Sequence, residues 1–77
     1  MEFLATERCE ALVRDVLAYL ERTKVAKSRL GREAMNDGEF VDKLQHPGRR
    51  VTVETERRVR KCMADHPDGW RRKNARA

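Results

Sequence analysis

The side chains able to do covalent or metal chemistry are few and scattered. Ser28 is the only serine, and the sequence offers no elbow motif that would set a base beside it. Cys9 and Cys62 stand alone, without a CxxC spacing or a Cys/His quartet, and read as two small buried thiols rather than a disulfide framework or zinc site. His46 and His66 each precede a proline, where a histidine closes a helix or opens a turn, and neither has a Cys or Asp partner at ligand spacing. Gly31, Gly38, Gly48 and Gly69 never fall at the spacing of a phosphate loop or a dinucleotide fold. An enzyme is therefore the least supported class, and no metal or cofactor is expected.

What the chain has in quantity is cations. Residues 1–48 carry 8 basic and 9 acidic side chains, whereas residues 49–77 carry 10 basic and 4 acidic, so the overall charge of +5 belongs to the second half. A basic block in an otherwise balanced small domain suits nucleic acid or another anionic surface. The 77 residues make one small domain, which buries only about 60% of its unfolded surface and has little room for a large substrate cavity. Four Gly and two Pro are too few for the frequent turns of a β-sandwich. No apolar run approaches the roughly 18 residues of a membrane span, and the N-terminus lacks the basic-then-apolar layout of a secretory signal. The expected location is the cytoplasm.

The apolar spacing shows what must position those cations. Cys9, Leu12, Val13, Val16, Leu17 and Leu20 recur at steps of three and four, predicting a helix from Thr6 to about Arg22, with the Thr6 side chain capping its start. Val25, Leu30 and Ala34 begin a shorter stripe, predicting a helix over about 27–34. Gly31 at its centre is unfavourable by about 1 kcal/mol against Ala, which implies that another helix approaches closely there. Met35 and Asn36 make a turn. Asp37 then caps a third helix through about Gln45, with Phe40, Val41 and Leu44 facing inward and Gly38, Glu39, Asp42 and Lys43 outward. His46, Pro47 and Gly48 stop it. Thr52 caps a fourth helix running to about Asp65, with Val51, Thr55, Val59, Cys62 and Met63 inside and Arg57, Arg58, Arg60 and Lys61 in water. Phe3, Leu4, Tyr19, Phe40 and Trp70 read as packing residues, with Phe3 and Leu4 folding back on the core or on a partner. The domain is expected to span residues 1–69, followed by a flexible basic tail over 70–77.

Two short helices joined by a tight turn, the first with a small residue at its centre, describe a helix-turn-helix over about residues 26–45. The stretch LGREAMNDGEFVDKL, from Leu30 to Leu44, resembles the helix-turn-helix of small lambda-repressor-like regulators of the XRE type. Leu30 and Gly31 match the apolar-small pair of the positioning helix, Ala34 its closing small residue, and Val41 and Leu44 the apolar pair of the recognition helix. The following VTVETERRV resembles the helix behind the motif in sugar-operon repressors. Met35 and Asn36 depart from the family's usual turn chemistry, and Glu39 and Asp42 bring two acids to the reading face.

The resemblance implies an all-α domain of four to five helices and a sequence-specific, double-stranded DNA-binding transcriptional regulator, a repressor by preference. On that reading Gly38, Glu39, Asp42 and Lys43 lie toward the base edges. Gly38 permits close approach, Lys43 donates to guanine, Glu39 accepts from cytosine, and Asp42 orders Lys43 or a neighbouring Arg. Lys27, Ser28 and Arg29 at the start of the second helix, with Arg49 and Arg50 after the third, meet phosphate. Arg71, Arg72, Lys73 and Arg76 follow the duplex as an arm. So small a reader is expected to act as a homodimer on an inverted repeat, resident at the nucleoid, with no small-molecule substrate. Two other classes fit the composition: a non-specific nucleoid-type DNA binder, and a protein-binding module of the antitoxin or anti-sigma kind using the acidic face of the third helix.

Overall fold

The computed structural model describes residues 2–70. These hold four helices: α1 (Thr6–Thr23), α2 (Lys27–Met35), α3 (Phe40–Leu44) and α4 (Val53–Asp65). The all-helical expectation holds, and no helix among the described residues is long and apolar enough to cross a membrane.

The helix ends follow local chemistry, with three departures from the sequence reading. The N-cap of α1 is Ala5 and no side chain caps it, so the Thr6 hydroxyl does not have the expected role. Helix α2 includes Met35, and the turn begins at Asn36, whose left-handed backbone (φ 55°) lets its amide donate to the Arg32 carbonyl at 3.0 Å. Helix α3 is only five residues long. Asp37 is why: its carboxylate accepts from the Glu39 amide at 3.0 Å and its carbonyl accepts from the Phe40 amide at 3.0 Å, holding Gly38 and Glu39 in a turn ahead of the helix. Helix α4 starts as expected, with the Thr52 oxygen accepting from the Thr55 amide at 3.1 Å.

The core gathers Leu12 and Val16 of α1, Leu30 and Ala34 of α2, Val41 and Leu44 of α3, and Val51 and Val59 beside and within α4. Gly31 accounts for the close meeting of α2 and the approach to α3, since a Cβ there would collide with the Asp37 carbonyl oxygen and press on Phe40 Cβ at 3.2 Å. The inner stripe of α1 is rotated from the predicted one. Tyr19 is buried, with its hydroxyl donating to the His66 carbonyl, while Leu17 is 37% exposed and Val13 half-buried. The reason is the direction of α4, which lies along the flank of α1 that carries Arg8, Asp15, Tyr19 and Arg22. Arg8 pairs with Glu56 at 2.6 Å, Asp15 with Arg60 at 2.8 Å, and Arg22 donates to the Pro67 carbonyl at 2.8 Å.

The N-terminal segment is tied in by backbone bonds that no local pattern announces. The Leu4 amide donates to the Val51 carbonyl at 2.7 Å and the Val53 amide to the Glu2 carbonyl at 2.9 Å, forming an antiparallel bridge between Phe3 and Thr52. This seats Leu4 in the core and leaves Phe3 48% exposed. At the other end Trp70 is half-buried and stacked on His66, ring centres 4.5 Å apart, which agrees with its reading as a packing residue. Cys9 is buried and Cys62 half-buried, both as free thiols. Burial pushes the Cys62 thiol above its ordinary pKa, so it is little inclined to react.

Candidate nucleic-acid interface

The charged residues singled out in the sequence fall into two groups on either side of α3. The first joins the start of α2 to α3. Lys27 pairs with Asp42 at 3.0 Å, both side chains being exposed, and the space a Cβ on Gly38 would fill lies 3.8 Å from Ser28 Cβ. Asp42 therefore orders Lys27, where the sequence suggested Lys43 or an Arg. Arg29 points along another flank of α2, pairing with Glu33 at 3.1 Å and covering the Trp70 ring at 5.2 Å.

The second group lies at the far end of α3. Lys43, Arg49 and Arg50 line one depression of about 270 Å³ with Met35, Phe40 and Thr55. Lys43 pairs with Asp37 at 2.9 Å. The ammonium of Lys43 and the Glu39 amide both donate to the Asp37 carboxyl, holding it below the ordinary carboxylate range, and the same hydrogen bond raises the Lys43 pKa. Protonation is thus no obstacle to Lys43 acting as a cation at neutral pH. Lys43 is exposed and Asp37 half-buried, so water reaches and screens the pair.

Arg49 and Arg50 differ from Lys27, Arg29 and Lys43. Neither has a carboxylate partner among the described residues. Arg49 is half-buried, donates through Nη1 to the His46 carbonyl at 3.3 Å, and keeps a buried Nε with no hydrogen-bond partner. Arg50 is exposed, its guanidinium over the Phe3 ring at 5.5 Å. The loop that carries them is held by His46, whose Nδ1 accepts from the Gly48 amide at 3.3 Å. Both histidines thus act at turns, as expected: His46 here and His66 at the end of α4.

The sequence reading overlooked two residues of this surface. Asp37, taken only as a cap, is also the partner of Lys43. Arg32 lies exposed on α2 one turn beyond Ser28, a spacing of four that the sequence displays openly. Arg71, Arg72, Lys73 and Arg76 lie outside the described residues. No group of His, Cys, Asp and Glu among the described residues could hold a metal ion. No family model, curated protein or solved structure matches the chain.

Proposed function

We infer that this chain is a sequence-specific double-stranded DNA-binding transcriptional regulator, a repressor working as a homodimer on an inverted-repeat operator and resident at the nucleoid. The observation that carries the reading is the set of cations around α3. Lys43, Arg49 and Arg50 share one depression, and two of the three have no carboxylate partner among the described residues. A phosphate supplies what the Arg49 and Arg50 guanidinia lack, and binding there draws on their unspent donors.

On this reading α2, the turn 36–39 and α3 form a helix-turn-helix of lambda-repressor-like type, and Gly31 is the small residue that lets its halves meet. Gly38, Glu39 and Lys43 face the base edges, with Lys43 exchanging Asp37 for a guanine. Lys27 and Ser28 approach phosphate on one side, with Asp42 fixing the Lys27 side chain, and Arg49 and Arg50 do so on the other. Arg29, engaged with Glu33 and Trp70, is the weakest of the proposed phosphate contacts. A domain of this size covers about 600–1,000 Å² of surface on one half-site, so discrimination calls for two copies.

The test is selection from a randomised duplex pool, followed by binding to selected and scrambled sites at low and near-physiological salt. Enrichment of a two-fold-symmetric site that survives salt supports the reading. Uniform binding that vanishes with salt identifies a non-specific nucleoid-type binder instead. No binding at either salt overturns both DNA readings and turns attention to a protein partner for Glu39 and Asp42.

A further inference from the structure

We propose that the outward face of α1 is the surface on which two copies of this chain pair, with the two helices antiparallel and the two-fold axis passing beside Leu17. Leu17 is a large apolar side chain left 37% exposed on a helix whose other large apolar residues are buried or half-buried. Around it stand exposed charges: Glu7, Glu10, Arg14, Glu21 and Lys24 make no ion pair among the described residues. On the opposite flank of the same helix, Arg8 and Asp15 are both paired to α4. Most charges of α1 without an ion pair therefore lie toward the face that Leu17 occupies, whereas Arg22, on the α4 flank, is bonded to the Pro67 carbonyl.

Helix geometry makes this set self-complementary. At about 100° per residue, Arg14 and Glu21 lie about 60° and about 40° round from Leu17, to the same side. Arg14 precedes Leu17 by three residues and Glu21 follows it by four. A two-fold axis perpendicular to α1 at Leu17 reverses height along the helix and keeps the side. It sets Arg14 of one copy within about 1.5 Å of axial level with the partner's Glu21, and the reverse pair follows by symmetry. Leu17 meets the partner's Leu17 at the centre, flanked by half-buried Val13. A parallel pairing would instead put Arg14 and Glu21 on opposite edges of the seam from their copies, each level only with its own like charge, so neither ion pair could form and charge selects the antiparallel arrangement.

This surface would supply the second copy that the DNA reading calls for, yet it is tested without DNA. The full chain is taken through a concentration series by sedimentation equilibrium, with circular dichroism to verify helix content in each variant. The expected wild-type result is a monomer–dimer equilibrium. Leu17→Glu should raise the dissociation constant at least about tenfold, since it sets two carboxylates against each other on the axis. Arg14→Glu and Glu21→Arg should each weaken the dimer about threefold to tenfold, and the double variant, which reverses both rungs, should return to within about threefold of wild type. A wild-type chain that stays monomeric throughout, a dimer indifferent to Leu17→Glu, or a double variant no better than the single ones would each overturn the inference. None of these outcomes bears on DNA binding by the α3 face, which the duplex selection measures separately.

Discussion

Along the seam between α1 and α4, charge is built into the fold, whereas at the corner of α2 and α3 it is laid over the fold. Glu56 is buried to 9% exposure and receives Arg8 at 2.6 Å and Arg60 at 2.9 Å, while Arg60 reaches on to Asp15 at 2.8 Å. Those four side chains form a continuous network in which no charge is spare. At the corner the Lys27–Asp42 and Lys43–Asp37 pairs are exposed, and Arg49 and Arg50 have no carboxylate partner among the described residues. There, contact between elements rests on the backbone approach at Gly31. The difference separates charge that holds helices together from charge that is free to meet an anion.

The comparison is broken most sharply at Gly31. In an ordinary exposed helix, Gly→Ala stabilises by about 1 kcal/mol through propensity. Here the added Cβ meets the Asp37 carbonyl oxygen, a backbone atom that cannot swing aside. Gly31→Ala should therefore destabilise the fold by about 1–3 kcal/mol, and Gly31→Val by about 3 kcal/mol or more, as overpacked sites do. Urea unfolding followed by circular dichroism measures it. A stabilised Gly31→Ala chain would mean that α2 and the turn before α3 do not meet this closely.

The network at Glu56 comes next. Glu56→Gln keeps the shape and removes the charge that Arg8 and Arg60 share, with an expected loss of about 1–3 kcal/mol. Its pH dependence has a definite sign. Hydrogen bonding from Arg60 most strongly, and from Arg8 as well, outweighs burial and holds the folded Glu56 pKa below the ordinary glutamate range. A carboxyl with a lowered folded pKa contributes stability that is complete above its unfolded pKa and is lost as pH falls through the folded value. The wild-type advantage over Glu56→Gln should thus be constant near neutrality and shrink in acid, below the ordinary glutamate range. An advantage that persists unchanged into that acid range would place the stabilisation elsewhere than in the ionised carboxylate.

Thr52 gives a smaller effect at the point where the N-terminal segment joins α4. Its hydroxyl accepts from the Thr55 amide at 3.1 Å and donates to Thr55 Oγ1 at 2.9 Å. Thr52→Ala should lose about 1 kcal/mol in the same unfolding measurement, while Thr52→Ser should lose much less because the cap oxygen remains.

How far these features were legible in the sequence depends on whether the cause was local. The Thr52 cap and the place of Val59 on α4 lie within a turn or two of chain and read correctly. Glu56, off the expected stripe, is instead buried and Arg60, expected in water, is half-buried in the seam with α1, because both answer to α1 some 45 residues away. Gly31 was legible for another reason: a glycine at the centre of a short helix is unfavourable alone and so points to a close neighbour. Leu17 was misjudged because Val13, Val16, Leu17 and Leu20 all fall within one broad arc. Which edge of that arc is buried depends on where α4 lies, and α4 begins some 36 residues later. The bridge between Phe3 and Thr52 was invisible for the same reason. At the candidate site, Lys43 stands out by its charge on the outward face of α3, and Arg49 by its charge just past that helix. Their present partners, Asp37 and the His46 carbonyl, depend on how the turns before and after α3 close.

The smallest expected effect on folding is also the one that bears most directly on function. Lys43 is exposed and its ion pair with Asp37 is open to water, so Lys43→Ala should leave the unfolding midpoint unchanged within error. On the selected duplex the same change should weaken binding about tenfold or more, with little change on scrambled sites, because a lost base contact is felt only where that base is present. Arg50→Ala provides the contrast: removing a phosphate contact should weaken binding on all sequences alike and lower the salt slope by about one. If Lys43→Ala instead weakened every duplex equally, Lys43 would belong with Arg49 and Arg50 as a backbone contact. Base reading would then have to come from Gly38 and Glu39, at the turn that Asp37 holds.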